Sequence, residues 1–337
     1  MPPNNSNGNN GLYDVTILGA GPTGMFGAFY AGMREMSCKI IDALPEVGGQ
    51  LTVLYPEKLI YDVPGFPKIL AADLVKEQME QIDRWKPKLC LDERATKLYQ
   101  AEGHWIIETQ RAKHHTKTVV VCAGVGAFSP KKIGIEHVDN YPGEGVHYFV
   151  KEKAIFRGKR LLIVGGGDSA VDWALNLKDY AKHITLIHRR DQFRAHPSSV
   201  AELQASPVEI KLFYELKDVH GDGHIIGATI FNNQTKQEEQ VEVDDVLLNL
   251  GFNADMGPIR EWGFETVGRR YIKTNIRQET NLPGVYAAGD IAATEGVEPL
   301  NLIVMGYAQA TVAVNYAYTF INPGAKAFPG HSSEKTL

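Results

Sequence analysis

One pattern occurs twice in this sequence of 337 residues: an apolar strand, a glycine-rich turn and a helical segment follow one another directly. Both turns have the spacing G-x-G-x-x-G or its alanine variant, with Gly19, Gly21 and Gly24 in the first copy and Gly165, Gly167 and Ala170 in the second. Glycine permits the tight turn and lets the backbone approach a pyrophosphate, while the helix that follows offers free N–H groups to the phosphates. The repeat therefore predicts two dinucleotide-binding βαβ units in one chain.

The residue that ends the next strand differs in charge between the two copies. Asp42 stands 23 residues after Gly19, whereas His188 stands 23 residues after Gly165. A carboxylate accepts hydrogen bonds from ribose hydroxyls, but at about 4 Å it repels each charge of a 2′-phosphate by about 4 kcal/mol at an effective dielectric near 20. The first site therefore suits FAD or NAD, with Asp42 on the ribose.

Arginines follow the second position, and they attract a 2′-phosphate and can bind it with two hydrogen bonds. We therefore predict NADPH at the second site. Besides the glycines and Ala170, the residues predicted to contact it are Asp168, Ser169, His188, Arg189, Arg190 and Arg194. The alternative that the arginines form only a solvated surface group stays open.

A third motif favours FAD for the first site. Residues 283–290 read PGVYAAGD, a short strand running into a turn that ends in Asp290. A carboxylate there suits the hydroxyls of a ribityl chain, which FAD has and NAD lacks. The helical segment that follows, about residues 301–320, would direct the positive end of its dipole at the flavin.

Because the third motif follows the second glycine turn, the first domain is predicted to be split. We expect an α/β fold with two Rossmann-like, three-layer, parallel-sheet domains, the second inserted into the first. The predicted boundaries are 12–126 with 253–322 for the FAD-binding domain and 127–252 for the NADPH-binding domain. Residues 1–11 are expected to be a disordered tail, and residues 323–337 a C-terminal tail.

Composition argues against several other functions. Lys and Arg number 35 against 40 Asp and Glu, and the net charge of −5 makes nucleic acid a poor partner. No apolar run reaches the roughly 18 residues of a membrane span, so no membrane insertion is expected. The three cysteines, Cys38, Cys90 and Cys122, are far apart, which predicts no metal site and a reducing cytoplasm.

The order of motifs resembles the thioredoxin-reductase branch of the flavoprotein pyridine-nucleotide reductases. The motifs are GAGPTG at 19–24, GGQL at 48–51, GGGDSA at 165–170, HRR at 188–190 and GVYAAGD at 284–290. That branch has a C-x-x-C near residues 146–152, where this chain reads VHYFVKE. Longer stretches are similar to the thioredoxin-reductase-like ferredoxin–NADP reductases: LYPEK at 54–58, HRRD with FRAH at 188–196, and HSS at 331–333.

That resemblance implies a homodimer with one FAD per subunit. It implies that Tyr55 stacks on one face of the flavin, and that the C-terminal tail of the partner subunit covers the other face with His331. By the same matching, further FAD contacts come from Thr23, Gln50, Ala95, Phe128 and one of the tail serines, Ser332 or Ser333.

The sequence thus predicts an FAD-dependent oxidoreductase that carries electrons between NADP(H) and the one-electron carrier ferredoxin or flavodoxin. Hydride transfer to flavin N5 needs no protein acid or base, so no catalytic proton-transfer residue is assigned. Two alternatives stay open: an NADPH-dependent oxidase or quinone reductase, and a non-catalytic redox sensor that binds FAD and NADPH. Because ferredoxins are acidic, we hypothesise that the carrier docks on the basic residues of segment 131–160.

Overall fold

The computed structural model describes residues 11–141 and 144–334, and it describes the side chains of all of these except 127–129 and 252–255. Residues 1–10 of the predicted N-terminal tail therefore lie outside the described residues, as does the side chain of Phe128. Contacts divide the chain into two compact units. The outer unit comprises the chain up to Ala127 and from Ala254 onward, and the inserted unit comprises Phe128–Asn253.

The outer unit begins with the predicted strand, turn and helix. Its first elements are β1 (Tyr13–Leu18), α1 (Pro22–Met33), β2 (Cys38–Ile41), α2 (Gln50–Val53), β3 (Leu59–Ile60), β4 (Ile69–Leu70), α3 (Ala71–Asp83), β5 (Lys88–Cys90), β6 (Ala95–Ala101), β7 (His104–Thr109), β8 (Lys113–Val121) and the connecting strand β9 (Ala127–Pro130).

The inserted unit repeats the strand, turn and helix at its centre. Its elements are α4 (Glu136–Asp139), β10 (Val146–His147), a 3₁₀ helix (Lys153–Phe156), β11 (Arg160–Gly165), α5 (Asp168–Leu177), β12 (His183–His188), α6 (Pro197–Gln204), β13 (Glu209–Leu212), β14 (Tyr214–Asp222), β15 (His224–Asn232), β16 (Glu238–Val241) and β17 (Asp245–Asn249).

A second connecting strand, β18 (Phe252–Asp255), pairs with β9 and returns the chain to the outer unit. The remaining elements are a 3₁₀ helix (Gly257–Glu261), β19 (Thr266–Val267), β20 (Tyr271–Thr274), β21 (Val285–Ala287), β22 (Ala292–Thr294), α7 (Ile303–Ile321) and a 3₁₀ helix (Ser332–Glu334).

The main sheet of the outer unit has the order β5-β2-β1-β8-β7-β6, and its strands β5, β2, β1 and β8 are parallel. Strand β8 has two partners on its other edge. Its first half pairs antiparallel with β7, and its last residues, Val119–Val121, pair in parallel with β21. This pairing brings the PGVYAAGD motif beside the first glycine turn, although more than 250 residues separate them in sequence.

Side-chain alternation along the strands divides the core of the outer unit into two layers. On one face, Val15 and Ile17 of β1 are fully buried against α1, α3 and α7. On the other face, Leu18 belongs to a buried cluster with Trp105 of β7 and Trp262, which follows the second 3₁₀ helix. Helices α1 and α7 are therefore fixed by packing on the face that carries the glycine turn.

The inserted unit has a parallel sheet of order β10-β17-β11-β12-β13 and a separate antiparallel sheet β14-β15-β16. Leu162 and Val164 of β11 pack with Leu216 and Ile230 of the antiparallel sheet. Helix α5 buries Ala170, Val171 and other apolar residues. Both units are thus α/β layers built on parallel sheets, which confirms the predicted fold class. Among the described residues, no helix is long and apolar enough to span a bilayer.

Candidate nucleotide-binding sites

The first glycine turn lies at the carboxyl end of β1 and is held by its neighbours on both sides. Gly19 N donates to Ile41 O at 2.8 Å, and Cys122 N donates to Leu18 O at 2.7 Å. A Cβ on Gly24 would lie 1.9 Å from Gly19 O. Only glycine at position 24 therefore lets α1 pack this closely on the turn.

Gly21 has different surroundings from the other two glycines of this turn. No described atom beyond its chain neighbours lies within 4 Å of the point where a Cβ on Gly21 would stand. Gly21 is also the N-cap of α1, and in the described structure no side chain caps this helix and no acidic residue occupies its first turn. Free N–H groups, a helix dipole and open space together form a cradle that fits a pyrophosphate.

Asp42 lies directly beside this cradle. Its Oδ2 accepts a hydrogen bond from Ala20 N at 2.6 Å, and its Oδ1 accepts one from Leu44 N at 2.8 Å. Burial raises the pKa of the Asp42 carboxyl above its usual value, and the two backbone hydrogen bonds oppose that rise. A carboxylate has about four acceptor positions, so it keeps capacity for ribose hydroxyls while it fixes the turn.

Three sequence-distant segments meet next to the first glycine turn. A Cβ on Gly306 of α7 would lie 2.1 Å from Thr23 Oγ1, and a Cβ on Gly289 would lie 2.9 Å from the same atom. Gly48 N donates to Ala20 O at 2.8 Å, which attaches the GGQL segment. Thr23 is therefore enclosed between the PGVYAAGD motif and the start of α7.

Gln50 and Asp290 are brought together although 240 positions separate them: Gln50 Nε2 donates to Asp290 Oδ2 at 3.4 Å. Burial raises the pKa of Asp290, while the Gln50 hydrogen bond and the charge of Arg270 lower it. Burial, together with the negative charge of nearby Asp290, raises the pKa of Tyr55 to about 12. The tyrosine is therefore neutral at physiological pH.

Other residues that the resemblance assigned to FAD lie apart from this group. Ala95 starts β6 and packs against the cluster of Leu18, Trp105 and Trp262, on the sheet face opposite to α1. His331 is exposed and meets the ring of Phe328 edge-on at 5.2 Å, and Ser332 and Ser333 are exposed in the final 3₁₀ helix. Their contacts with FAD stay predictions, as does that of Phe128, whose side chain is outside the described residues.

The second glycine turn lies at the carboxyl end of β11 in the inserted unit. A Cβ on Gly165 would lie 2.5 Å from Asn249 O, and one on Gly166 would lie 2.1 Å from His188 Nδ1. The third glycine, Gly167, is the N-cap of α5 and, like Gly21, has no described atom within 4 Å of its Cβ position apart from its chain neighbours. Open space at the N-cap glycine is therefore present in both units, although the first turn of α5 carries Asp168 and that of α1 carries no acidic residue. Ala170 is buried behind the second turn.

The residues after β12 form an exposed segment, which we call the arginine loop (residues 189–196). Arg189, Arg190 and Arg194 are exposed, and so are Asp168 and Ser169 at the start of α5. His188 is different, because only 8% of its surface is accessible. Its ring lies against Gly166, and burial, together with the charges of the three arginines, lowers its pKa.

Sequence reasoning missed Asn249, the last residue of β17. Its Oδ1 is buried and, among the described groups, has no hydrogen-bond partner. Asn249 pairs with Gly165 across the sheet, so this unsatisfied acceptor lies at the edge of the second cradle. A buried polar atom without a partner is costly unless a ligand satisfies it. No signal in the sequence pointed to Asn249, because only the pairing of β17 with β11 brings it to the second glycine turn.

The basic segment 131–160 is partly neutralised by acids. Lys159 Nζ lies 2.8 Å from Asp245 Oδ2, and Arg160 pairs with Asp244 at 2.7 Å and also with Glu242. Arg160 starts β11, so it lies about 17 Å from Gly165 at the other end of that strand. The docking of the carrier on segment 131–160 stays a prediction, in which Lys159 and Arg160 already have acidic partners.

All three cysteines are free thiols, and no two of them form a C-x-x-C sequence. Burial raises the pKa of Cys38 to about 12 and also raises those of Cys90 and Cys122. In the described part of the chain, no group of three or more His, Cys, Asp or Glu side chains is arranged to hold a metal ion.

Two glycine-turn cradles on two parallel sheets define a protein that binds two dinucleotides. A family model described as pyridine nucleotide-disulphide oxidoreductase matches residues 13–317, and the chain belongs to that family. The chain is 51% identical over 329 residues to a ferredoxin–NADP reductase of Symbiobacterium thermophilum, covering 96% of this chain and 97% of the relative. It is 50% identical over 327 residues to a ferredoxin–NADP reductase of Thermus thermophilus, with the same coverage.

Solved structures give the same result for the fold. A thioredoxin reductase of T. acidophilum superposes with a TM-score of 0.78 at 26% identity, covering 92% of this chain and 99% of that chain. A thioredoxin reductase of Lactococcus lactis also gives 0.78, at 25% identity and with the same coverage. The resemblance to thioredoxin-reductase-like ferredoxin–NADP reductases is thereby confirmed.

Proposed function

We propose that this protein is an FAD-dependent ferredoxin–NADP reductase, which carries electrons between NADP(H) and ferredoxin or flavodoxin. The observation that carries the proposal is that two glycine turns are followed, at equivalent positions, by an acidic residue in one unit and by arginines in the other. The chain also has no C-x-x-C through which electrons could leave the flavin. Full-length relatives at 50 and 51% identity have names that describe this reaction. Bound FAD supplies the chemistry, because it accepts a hydride from NADPH and releases electrons singly.

The outer unit would hold FAD. The open space at Gly21 and the uncapped amino end of α1 fit its pyrophosphate, and Asp42 fits the adenosine ribose. Asp290 and Gln50 would hold the ribityl and ring end, since a hydrogen bond joins their side chains and Gly289, the neighbour of Asp290, lies against Thr23. The work of these residues is to bind and orient, and no proton-transfer residue is required.

The inserted unit would hold NADPH at Gly165–Ala170. Its cradle at Gly167 receives the pyrophosphate, and the exposed Arg189, Arg190 and Arg194 attract the 2′-phosphate. The buried Asn249 Oδ1 offers an acceptor to the same nucleotide. At the equivalent position of the outer unit stands Asp42, whose negative charge would repel the 2′-phosphate of NADPH.

We further propose a cytoplasmic homodimer in which the C-terminal tail acts on the partner subunit. Arg34, which follows the carboxyl end of α1, donates to Lys326 O at 2.8 Å and lies 3.7 Å from the ring centre of Tyr318. The carboxyl end of α1, where the tail is bound, lies about 18 Å along the helix from the glycine turn. The ring of His331 contacts Phe328 beside that end, and this placement supports a role of His331 on the partner subunit. The proposed cytoplasmic location is supported by the three free thiols, which are typical of a reducing compartment.

The test is a comparison of electron acceptors. The purified protein should be yellow, and NADPH-dependent reduction of cytochrome c should rise strongly when ferredoxin or flavodoxin is added. A variant with Cys38→Ala, Cys90→Ala and Cys122→Ala should keep most of this turnover, because no electron passes through sulfur. Faster turnover with oxygen or quinones would instead identify an oxidase or quinone reductase, and binding of both nucleotides without turnover would identify a sensor.

A further inference from the structure

The arginine loop is exposed, yet the protein holds its backbone at several separate points. Asn233 Nδ2 donates to Arg189 O at 2.9 Å, and His188 Nε2 lies 3.0 Å from Gln192 O. The carbonyl acceptor places the proton of the neutral imidazole on Nε2. The same ring stacks on Phe193, with centroids 5.3 Å apart and an interplanar angle of 19°.

The second half of the loop is tied directly to the second glycine turn. Arg194 N donates to Gly166 O at 2.7 Å, and His196 N donates to Asp168 Oδ1 at 2.9 Å. These two bonds join the segment that carries the arginines to the segment that would carry the pyrophosphate. The distance between the two binding elements is thereby fixed before any nucleotide arrives.

Asn233 comes from the turn between β15 and β16, far from both binding segments in sequence. Its amide group is committed to the protein, since Nδ2 also donates to Glu215 Oε1 at 2.9 Å. Its backbone N–H donates to Phe213 O at 2.7 Å. The side chain thus connects the antiparallel sheet of the inserted unit to the first arginine of the loop.

We propose that Asp168, His188 and Asn233 are positioning residues that hold the arginine loop in the conformation that recognises a 2′-phosphate. This inference rests on the proposed binding of NADPH by the arginines. The three long, exposed arginine side chains gain little from a phosphate if their backbone must be ordered at the same moment. A loop ordered in advance avoids that cost, so the three side chains raise selectivity for the phosphorylated nucleotide.

The test measures binding of two probes that differ only in the 2′-phosphate, 2′,5′-ADP and 5′-AMP, to the FAD-loaded protein by calorimetry. Asn233→Ala and Asp168→Ala should each raise the Kd of 2′,5′-ADP about five- to tenfold, the effect of one lost hydrogen bond, and change that of 5′-AMP less than about twofold. The KM for NADPH should rise in parallel while kcat is kept.

Two further variants separate positioning from other effects. Asp168→Asn keeps an oxygen acceptor for His196 N, and its loss of charge acts on both anionic probes, so the ratio of the two Kd values should change less than in Asp168→Ala. Gln234→Ala changes the exposed neighbour of Asn233 in the same turn and should also behave as the wild type. As an independent measurement, amide hydrogen exchange of residues 190–196 should accelerate in Asn233→Ala.

Equal weakening of both probes would overturn the proposal, because it would assign Asp168 or Asn233 to a part of the nucleotide common to both. Unchanged binding and exchange would also overturn it. The double variant Arg189→Ala/Arg190→Ala distinguishes the underlying function. If it loses selectivity while Asn233→Ala does not, only positioning fails; if it keeps selectivity, Arg189 and Arg190 do not bind the 2′-phosphate and both ideas fail.

Discussion

Replacement of Gly21 by alanine should separate cofactor binding from folding. The Cβ position has no described atom within 4 Å apart from chain neighbours, and the backbone there is extended, with φ −74° and ψ −179°. Alanine adopts this conformation without strain, so the stability of protein freed of FAD should not change. The added methyl group occupies the space assigned to the pyrophosphate.

The size of the effect follows from that overlap. Forcing an extra methyl group into an occupied site costs about 1–3 kcal/mol, which corresponds to an FAD Kd raised about 5- to 150-fold. Gly24→Ala is the matched comparison. Its Cβ would stand 1.9 Å from Gly19 O, so α1 must move by about 1.5 Å to reach an ordinary contact, and stability should fall even without FAD.

The assay is flavin fluorescence titration of FAD-freed protein, together with thermal unfolding of the same samples. For Gly21→Ala we expect an unchanged melting temperature and weaker FAD binding; for Gly24→Ala we expect a lower melting temperature. A Gly21→Ala variant that binds FAD as tightly as the wild type would refute the placement of the pyrophosphate. A Gly21→Ala variant with a lower melting temperature would refute the claim that residue 21 has room for a side chain.

Three other changes test separate parts of the molecule. Arg189→Ala/Arg190→Ala should raise the KM for NADPH about 10- to 100-fold and that for NADH less than about twofold; equal changes in steady-state kinetics would contradict the charge argument. Burial raises the pKa of Asp290, so its stabilising contribution is present below the unfolded pKa and lost as pH rises through the folded one. Asp290→Asn should therefore raise the melting temperature of FAD-freed protein at pH 7 in thermal unfolding, with no gain near pH 4, and an equal change at both pH values would contradict this. His114 lies 2.7 Å from Glu93 in the core, so His114→Leu should lower the unfolding free energy by about 3 kcal/mol in urea titrations, and an unchanged midpoint would dismiss this buried pair.

Much of the site could be predicted because the relevant signals are local. A strand, a glycine turn and a helix are consecutive in the chain, and the length of one βαβ repeat places Asp42 and His188 at the same point of each unit. The sign of the charge at that point follows from the residue type alone. The nearly continuous apolar run of β1, which reads VTIL at 15–18, likewise predicts a strand buried on both faces.

Asn233 and Asn249 could not be predicted in the same way. Each is an ordinary polar residue in a turn or at a strand end, and neither belongs to a motif. Asn249 reaches the second cradle because β17 pairs with β11, and Asn233 reaches the arginine loop because the β15–β16 turn lies over it. Strand order decides both placements, and strand order depends on packing across the whole unit.

The class of fold, the two glycine turns, the opposite charges of the residues that follow them and the lack of a C-x-x-C could all be read from the order of residues. Packing was needed to show that Gln50 meets Asp290 and that His188 lies beneath Gly166. Packing also showed that Gly21, unlike Gly19 and Gly24, faces open space. The difference lies in the range of the interactions. Turn and strand geometry act over a few residues and can be read from spacing, whereas contacts between distant segments form only when the sheets and helices pack.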